Sequence, residues 1–216
     1  MVLTDKVVDI QNVSKIYHTL DGETLAMNDL SLSVYKGEIV SIVGPSGCGK
    51  TTLLSMIAGL IRPSSGKILI NAQEVIKYDK KIGYMFQKDN LFEWRTILKN
   101  VLIGLEVQNS LTPENIAKVE HLLDIYGLKD FKQHYPSQLS GGMRQRVALI
   151  RTLSTEPEIL LLDEPFSALD YQTRLKVADG RMLVKKLWNR FFVRGAQYKI
   201  QGTRYEALVI LFCLSY

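Results

Sequence analysis

Cysteine, histidine and long apolar runs are all scarce in this sequence. Its two cysteines, Cys48 and Cys213, lie far apart among 216 residues. This spacing gives neither a disulfide framework nor a zinc-binding pair, so a reduced, cytosolic protein is the simplest interpretation. The apolar run at residues 207–214 is too short for a membrane-spanning helix, which needs about 20 residues. Residues 1–204 contain no run that is long enough either.

The chain begins MVLTDKVVDI, with acidic residues near its start and no apolar core of the signal-peptide type. We therefore expect the protein to stay in the cytosol unless a partner recruits it to a membrane. The length is sufficient for one substantial domain and too short for two comfortable ones. With 46% hydrophobic and 23% charged residues, the composition predicts an ordinary soluble globular domain.

Acidic residues are scarce only towards the end of the chain. Residues 171–216 carry 9 Lys and Arg against 2 Asp and Glu, whereas residues 1–170 carry 18 against 20. The net charge of +5 therefore comes from this tail and is not a nucleic-acid-binding signature of the folded domain. A charge break of this kind marks a boundary within the chain.

Hydrophobic periodicity predicts strands at both ends of a helical middle. Residues 39–43 form a short continuous apolar run, as in a strand buried on both faces. Thr112 and Pro113 predict the start of a helix and Gly127 its end. Strands are predicted near residues 7–10, 29–34, 39–43, 66–70, 82–86 and 159–162, and helices near 51–60, 113–126 and 143–153. This order predicts an α/β fold with a mostly parallel sheet.

A glycine-rich loop lies between the strand at residues 39–43 and the helix that follows. It matches G-x-x-x-x-G-K-[ST] at every fixed position and in the required strand–loop–helix context. Glycines let successive N–H groups turn towards one phosphate, and the helix start adds the positive end of its dipole. Lys50 is expected to reach the β- and γ-phosphates, and the Thr51 hydroxyl to ligate Mg²⁺. The predicted phosphate-binding residues are Gly44, Pro45, Ser46, Gly47, Cys48, Gly49, Lys50 and Thr51.

Two acidic residues, Asp163 and Glu164, follow the apolar run at residues 159–162. The fold would place this strand beside the strand that precedes the phosphate loop. Asp163 is then expected to hold Mg²⁺, usually through water, and Glu164 to polarise the attacking water as a general base. Taken alone, the pair is better explained as a solvated strand end. A chance match of the loop pattern occurs in about one protein in a hundred of this length, so the two motifs together favour the catalytic interpretation.

The segment LSGGMRQ at residues 139–145, followed by RVALIR, is the most specific motif. It resembles the signature motif of the ABC ATPases; by itself it could be a serine N-cap and a glycine pair that open an ordinary helix. Three further segments resemble motifs of that family in the same order. They are Gln87 for the Q-loop, Asp163 and Glu164 for the Walker B end, and residues 167–170 for the D-loop. The resemblance covers residues 7–177.

This resemblance implies a P-loop NTPase fold with a mostly parallel central sheet, an antiparallel N-terminal β part and a helical insert near residues 89–150. The ATPase domain would span residues 1–177, and residues 178–216 would form an atypical tail. MgATP is the implied nucleotide, with Glu164 and Gln87 catalytic and with Thr51, Gln87 and Asp163 around the metal. The implied nucleotide-binding residues outside the phosphate loop are Tyr17, Thr52, Ser140, Gly141, Gly142 and Gln145. Tyr17 would stack on adenine, although it could equally be a surface tyrosine.

The family also implies partners. Two ATPase subunits would face each other head to tail, with ATP between the phosphate loop of one and Ser140 to Gly142 of the other. The pair would sit at the cytoplasmic face of the cell membrane and power a transmembrane permease, with a solute-binding protein acting indirectly and no nucleic acid. Residues 87–105 most resemble importers of the nitrate, sulfonate and taurine type. Phe92 and Trp94 would either dock a helix of the permease or pack within the insert.

Two alternative functions are considered. Soluble ABC-type ATPases that act on nucleic acid or ribosomes usually carry two cassettes or a long coiled-coil insert, and this sequence has neither. The second alternative is a hydrolysis-deficient nucleotide-binding module or a dead gene product, which the unusual tail would explain.

The tail departs from the family pattern. A strand ending in a histidine should follow the D-loop, yet His18, His121 and His134 all precede the Walker B residues. Our hypothesis is a reading-frame change near residues 176–180, because the motifs stop there, the charge changes, and the aromatics Trp188, Phe191, Phe192 and Tyr198 follow no pattern. The alternative is a divergent basic tail. The coding DNA distinguishes them, since a frame change requires another frame after codon 176 to encode a strand followed by a histidine.

Loss of the native end would remove one or two strands and expose a sheet edge and apolar surface, which favours aggregation. The chain is therefore expected to be marginally stable, to bind MgATP poorly or moderately, and to hydrolyse it very slowly.

Overall fold

The structure is a computed structural model that describes residues 5–20, 22–165 and 208–213, the last segment by its backbone. The expected D-loop and the aromatics of the tail lie outside these residues. The elements are β1 (Lys6–Thr19), β2 (Gly22–Tyr35), β3 (Ile39–Val43), α1 (Lys50–Ile57), β4 (Ser65–Ile70), β5 (Gln73–Glu74), β6 (Ile82–Met85), α2 (Ile97–Val107), α3 (Pro113–Ile125), α4 (Gly141–Leu153), β7 (Ile159–Asp163) and β8 (Leu208–Cys213).

An antiparallel sheet forms the N-terminal part, in the strand order β2-β1-β4-β5. β1 and β2 make a long hairpin that starts with Lys6 opposite Tyr35. Val8 and Ile10 lie two positions apart on β1, so their side chains share one face of the sheet. Both are buried in a hydrophobic cluster with Leu53 and Leu54 of α1. The sheet confirms the expected antiparallel N-terminal part and supports the helix that follows the phosphate loop.

A mixed sheet forms the centre, in the order β3-β8-β7-β6. β6 and β7 are parallel neighbours, and β8 lies between β7 and β3, antiparallel to both. β3, β7 and β6 therefore share one direction and β8 runs opposite to them, so the central sheet is mixed, as in an α/β fold, and only its β6–β7 pair is parallel. The carboxyl ends of these three strands meet at one edge, where the phosphate loop and Asp163 lie.

The position of β8 corrects one expectation. The sequence predicts β7 directly beside β3. Instead, β8 pairs with Ile39 to Val43 on one side and with Ile159 to Asp163 on the other. The physical reason is that a ladder needs only backbone groups and residues with high β-propensity, and LVILFC supplies both.

Helices α2, α3 and α4 form the insert, and each begins with a side-chain cap. Thr96, Thr112 and Ser140 accept hydrogen bonds from the backbone N–H groups of Lys99, Asn115 and Met143. These caps satisfy amides that the first helical turn leaves without partners. Within the described residues, no helix combines the length and the apolar character needed to cross a membrane.

β7 separates two hydrophobic clusters and belongs to both. Its five residues are all buried. Leu160 and Leu162 join the cluster of the helical insert, whereas Ile159 and Leu161 join the cluster of α1 and the antiparallel sheet. Because successive side chains of a strand point to opposite faces, one strand holds the two halves of the domain together. Asp163 at its end is thereby fixed relative to both.

We predict that Ile210→Pro destabilises the protein, because proline removes a backbone N–H from a strand that is paired on both sides. A buried backbone group left without its partner costs about 1–3 kcal/mol. Urea unfolding measures the loss, and Ile210→Val, which keeps the amide, is the matched control. Equal unfolding midpoints for the two variants would show that residues 208–213 do not complete the sheet in solution.

Candidate functional site

The phosphate loop closes tightly at the start of α1. Gly47 and Gly49 have φ values of 79° and 92°, in the left-handed region that favours glycine. Gly49 is the N-cap of α1, and a Cβ atom there would lie 2.5 Å from the backbone oxygen of Ala26 in β2. A glycine is therefore required at position 49, both by the backbone conformation and by close packing against the β1–β2 hairpin.

Lys50 extends back across this loop. Its Nζ atom donates hydrogen bonds to the carbonyl oxygens of Gly44 at 2.9 Å and Pro45 at 2.7 Å, and lies 3.5 Å from Cys48 Sγ. The residue is only 8% exposed. A shielded ammonium held by oxygen atoms at the mouth of a glycine-rich loop fits an anion such as a nucleotide phosphate, whose oxygens can replace these carbonyls.

Thr51 and Asp163 meet across the edge of the central sheet. Thr51 Oγ1 donates a hydrogen bond of 2.7 Å to Asp163 Oδ2. Burial raises the pKa of the Asp163 carboxyl, as does the neighbouring Glu164, while the Thr51 hydrogen bond and the Lys50 charge act in the opposite direction. A hydroxyl beside a buried carboxyl is the hard oxygen donor set that Mg²⁺ prefers, so these residues fit the metal.

Gln87 and Glu164 form the second polar pair. They follow the parallel strands β6 and β7, whose last register pair is Met85 opposite Leu162. Gln87 Nε2 donates a 2.8 Å hydrogen bond to Glu164 Oε2, and Glu164 itself has a left-handed φ of 47°. The structure thus brings both predicted catalytic side chains to the edge that holds Asp163.

Tyr17 lies near the start of α1, on the antiparallel sheet. Its hydroxyl is 3.4 Å from Thr52 Oγ1, and Lys15 Nζ lies 5.1 Å from the ring centroid. Tyr17 is 38% exposed. Tyr17 and Thr52 are therefore brought together beside the phosphate loop, and the tyrosine remains accessible to a ligand.

The predicted signature residues lie elsewhere. Ser140 and Gly141 are exposed at the start of α4, where Ser140 Oγ accepts a hydrogen bond from the Met143 N–H at 3.3 Å. None of the hydrogen bonds or ion pairs of the described residues joins Ser140, Gly141 or Gly142 to the phosphate loop. Gln145 is 7% exposed in the body of α4, so its predicted contact with nucleotide stays a prediction.

Sequence reasoning missed the contacts that join the loop after Gln87 to α4. Arg144 forms an ion pair with Asp89 at 2.8 Å, and Arg151 donates to the Asp89 carbonyl oxygen at 2.6 Å. An open groove of about 430 Å³ lies along this junction, with Gln87 and Gly141 among its lining residues. Asp89 and Arg144 are 55 residues apart, and such a pairing leaves no local signal in a sequence.

Comparison with known proteins gives matches along most of the chain. A family model described as ABC transporter matches residues 27–167. The uncharacterized ABC transporter ATP-binding protein YtlC of Bacillus subtilis is 51% identical over 168 residues, which are 78% of this chain and 65% of that protein. The taurine import ATP-binding protein TauB of Jannaschia sp. is 45% identical over 180 residues, which are 83% of this chain and 66% of that protein. The chain thus spans just under two thirds of the length of these two relatives.

A solved structure gives a similar result. The ATP-binding cassette MJ0796, in a dimeric post-hydrolysis state bound to ADP and Pi, matches with a TM-score of 0.72 and 36% sequence identity. The match covers 83% of this chain and 82% of that chain. It confirms the P-loop NTPase fold.

We predict that Gly49→Ala destabilises the protein more than Gly47→Ala. Both positions have left-handed φ values, for which a residue other than glycine costs about 1–2 kcal/mol. Only at Gly49 does a Cβ also meet backbone, since nothing lies within 4 Å of one at Gly47. The difference between their urea midpoints measures the packing of the phosphate loop on β2. Equal midpoints would contradict that packing.

Proposed function

The chain belongs to the ABC transporter family, and we propose that it is the ATP-binding and ATP-hydrolysing subunit of a solute importer. One observation carries this proposal. The Thr51–Asp163 and Gln87–Glu164 contacts converge on one sheet edge, next to the phosphate loop that holds Lys50. The Lys50 ammonium, the proposed metal ligands and the proposed general base Glu164 therefore lie together where the phosphates of ATP would bind.

Each residue then has a defined task. Lys50 exchanges its two carbonyl partners for β- and γ-phosphate oxygens, and the loop amides bind the same group. Thr51 and Asp163 would hold Mg²⁺, which would neutralise charge on the phosphates. Glu164 accepts a proton from the attacking water, and Gln87, which donates to Glu164 at 2.8 Å, orients that carboxylate and would be a further ligand of the metal. Tyr17 stacks on adenine beside Thr52.

A second subunit completes the site. Ser140 and Gly141 are exposed at a helix N-terminus, where a hydroxyl and backbone N–H groups can bind a phosphate. Within the described contacts they do not reach the phosphate loop of their own chain, which supports their acting on the ATP of a partner. The MJ0796 cassette, described as dimeric and bound to ADP and Pi, supports the same assembly. ATP then joins two subunits, and hydrolysis weakens their association.

The loop before α2 is the proposed contact with a transmembrane permease at the cytoplasmic face of the membrane. Buried Asn100 holds the loop by donating to the Phe92 and Arg95 carbonyl oxygens, both at 3.0 Å. The Phe92 ring is half-buried and lies 5.1 Å from the Trp94 ring, which is 75% exposed. Arg95 is held by Glu106 at 2.8 Å. A rigid loop that exposes one aromatic side chain is suited to a protein interface.

The transported solute is proposed to be a small anion such as a sulfonate. This rests on the resemblance of residues 87–105 to importers of that type and on the 45% identity with a taurine import ATP-binding protein. A solute-binding protein would act on the permease and not on this chain.

We predict that Trp94→Ala lowers the affinity for the transmembrane permease by about tenfold or more, since exposed aromatics at interface centres dominate binding. Detergent pull-down with the co-expressed permease measures the loss. Val107→Ala, at an exposed apolar position at the end of α2, is the matched control. Equal retention of both variants would place the interface elsewhere.

We predict that Lys50→Ala weakens MgATP binding at least about tenfold, the cost of one charge-assisted hydrogen bond. Glu164→Gln should keep MgATP affinity and lose hydrolysis by about 100-fold or more, because it removes only the general base. Calorimetry and phosphate release measure the two effects. The unaltered chain is expected to hydrolyse ATP slowly. The family pattern has a histidine at the end of a strand after the D-loop, and His134 is the last histidine of this sequence. Unchanged MgATP affinity in Lys50→Ala would contradict the proposed function.

A further inference from the structure

We propose that Arg144 is a positioning residue that locks the loop carrying Gln87 to the first turns of α4, so that nucleotide bound at one site controls the serine–glycine turn that serves the other. This inference rests on the proposed function, because it concerns how the two halves of a nucleotide site communicate within one subunit. Arg144 acts through the loop and does not itself contact ATP.

The guanidinium of Arg144 binds two carboxylates of the loop. Its Nε and Nη2 atoms lie 2.8 and 3.1 Å from the two oxygens of Asp89, and Nη2 lies 2.7 Å from Glu93 Oε1. Burial acts to raise the pKa of the Asp89 carboxyl, but hydrogen bonds from Arg144 and the Leu91 N–H, with the charges of Arg144 and Arg151, outweigh it and hold the pKa below its ordinary value. This planar two-point contact fixes orientation as well as distance.

A second arginine holds the same loop two turns further along α4. Arg151 Nη1 donates to the carbonyl oxygen of Asn90 at 2.7 Å, and Nη2 to that of Asp89 at 2.6 Å. Arg151 therefore binds the backbone, which any sequence at these positions would offer. Arg144 binds side chains and is the contact that depends on Asp89 and Glu93.

The two ends of this link face different nucleotides. Gln87 is two residues from Asp89 and contacts Glu164 of its own site. Arg144 lies one turn from Ser140, and its N–H donates to the Ser140 carbonyl oxygen at 2.9 Å. In the proposed head-to-tail dimer, Ser140 serves the opposite ATP. A displacement of Gln87 by its own nucleotide is therefore passed to the start of α4, and so to the opposite site, through the ion pairs of Arg144 with Asp89 and Glu93.

Such a link couples the two sites energetically. Each site must then change the binding affinity at the other by the same factor. Removal of the link should leave the affinity of an isolated subunit for nucleotide intact. It should weaken the dependence of dimer formation on nucleotide. A purely structural role would instead change stability and every binding constant together.

The test uses the full chain with Trp188→Phe, which leaves Trp94, next to Glu93, as its one tryptophan. Arg144→Ala removes both side-chain ion pairs and leaves the backbone contacts of Arg151, Arg144→Lys keeps the charge but loses the planar contact, and Asp89→Asn is a second variant should Arg144→Ala fail to fold. Lys132→Ala is the matched control, because it breaks an ion pair of 2.8 Å with Glu120 in the same insert. The probe is a non-hydrolysable MgATP analogue.

We expect three results for Arg144→Ala. The analogue affinity of dilute, monomeric protein changes by less than about twofold, and the change in Trp94 emission on binding largely disappears. Dimer affinity in the presence of analogue, measured by sedimentation, falls by about tenfold, which is a typical size for coupling between two sites. Arg144→Lys should lie between Arg144→Ala and the parent, and Lys132→Ala should match the parent in all three.

Two outcomes overturn the inference while the proposed function stands. In one, Arg144→Ala keeps the emission change and the dimer affinity of the parent. In the other, it weakens monomer binding and dimerisation by the same factor, as a structural role would. A parent protein that binds the analogue no better than its Lys50→Ala variant would overturn the proposed function, and this inference with it.

Discussion

The hydrogen bond between Thr51 and Asp163 is the contact on which the site depends. It joins residues 112 positions apart, one at the start of α1 and the other at the end of β7. Neither is placed by its own segment alone. α1 is held by the antiparallel sheet, and β7 is held by both hydrophobic clusters and by β8. The distance between phosphate loop and carboxylate is therefore set by the packing of the whole domain.

Much of this arrangement could be predicted from the sequence, because the signals are local. The bounds of β3, the capped start of α3 at Thr112 and the glycine-rich turn each depend on residues close together in the chain. Gln87 and Glu164 were assigned to one site by their resemblance to the family motifs, and a hydrogen bond joins them in the structure. The helix α2 was not predicted, since Gly104 interrupts its apolar pattern and its cap, Thr96, lies in a loop fixed by Asn100.

Contacts between distant segments could not be predicted in this way. Asp89 and Arg144 look like ordinary surface charges until α4 packs against the loop after β6. The direction of β8 is a second example, because an apolar run of six residues carries no information on whether it will pair parallel or antiparallel. In both cases the physical cause is tertiary packing, which selects among pairings that local sequence leaves equivalent.

The orientation of β8 has a consequence for how the catalytic edge is held together. Its first residues, Leu208 and Val209, pair with Val43 and Asp163, so its amino end faces the catalytic edge. Main-chain pairing requires no particular side chain, and every residue type except proline brings both the donor and the acceptor. Backbone pairing alone is therefore enough for β8 to join the strand before the phosphate loop to the strand that ends in Asp163.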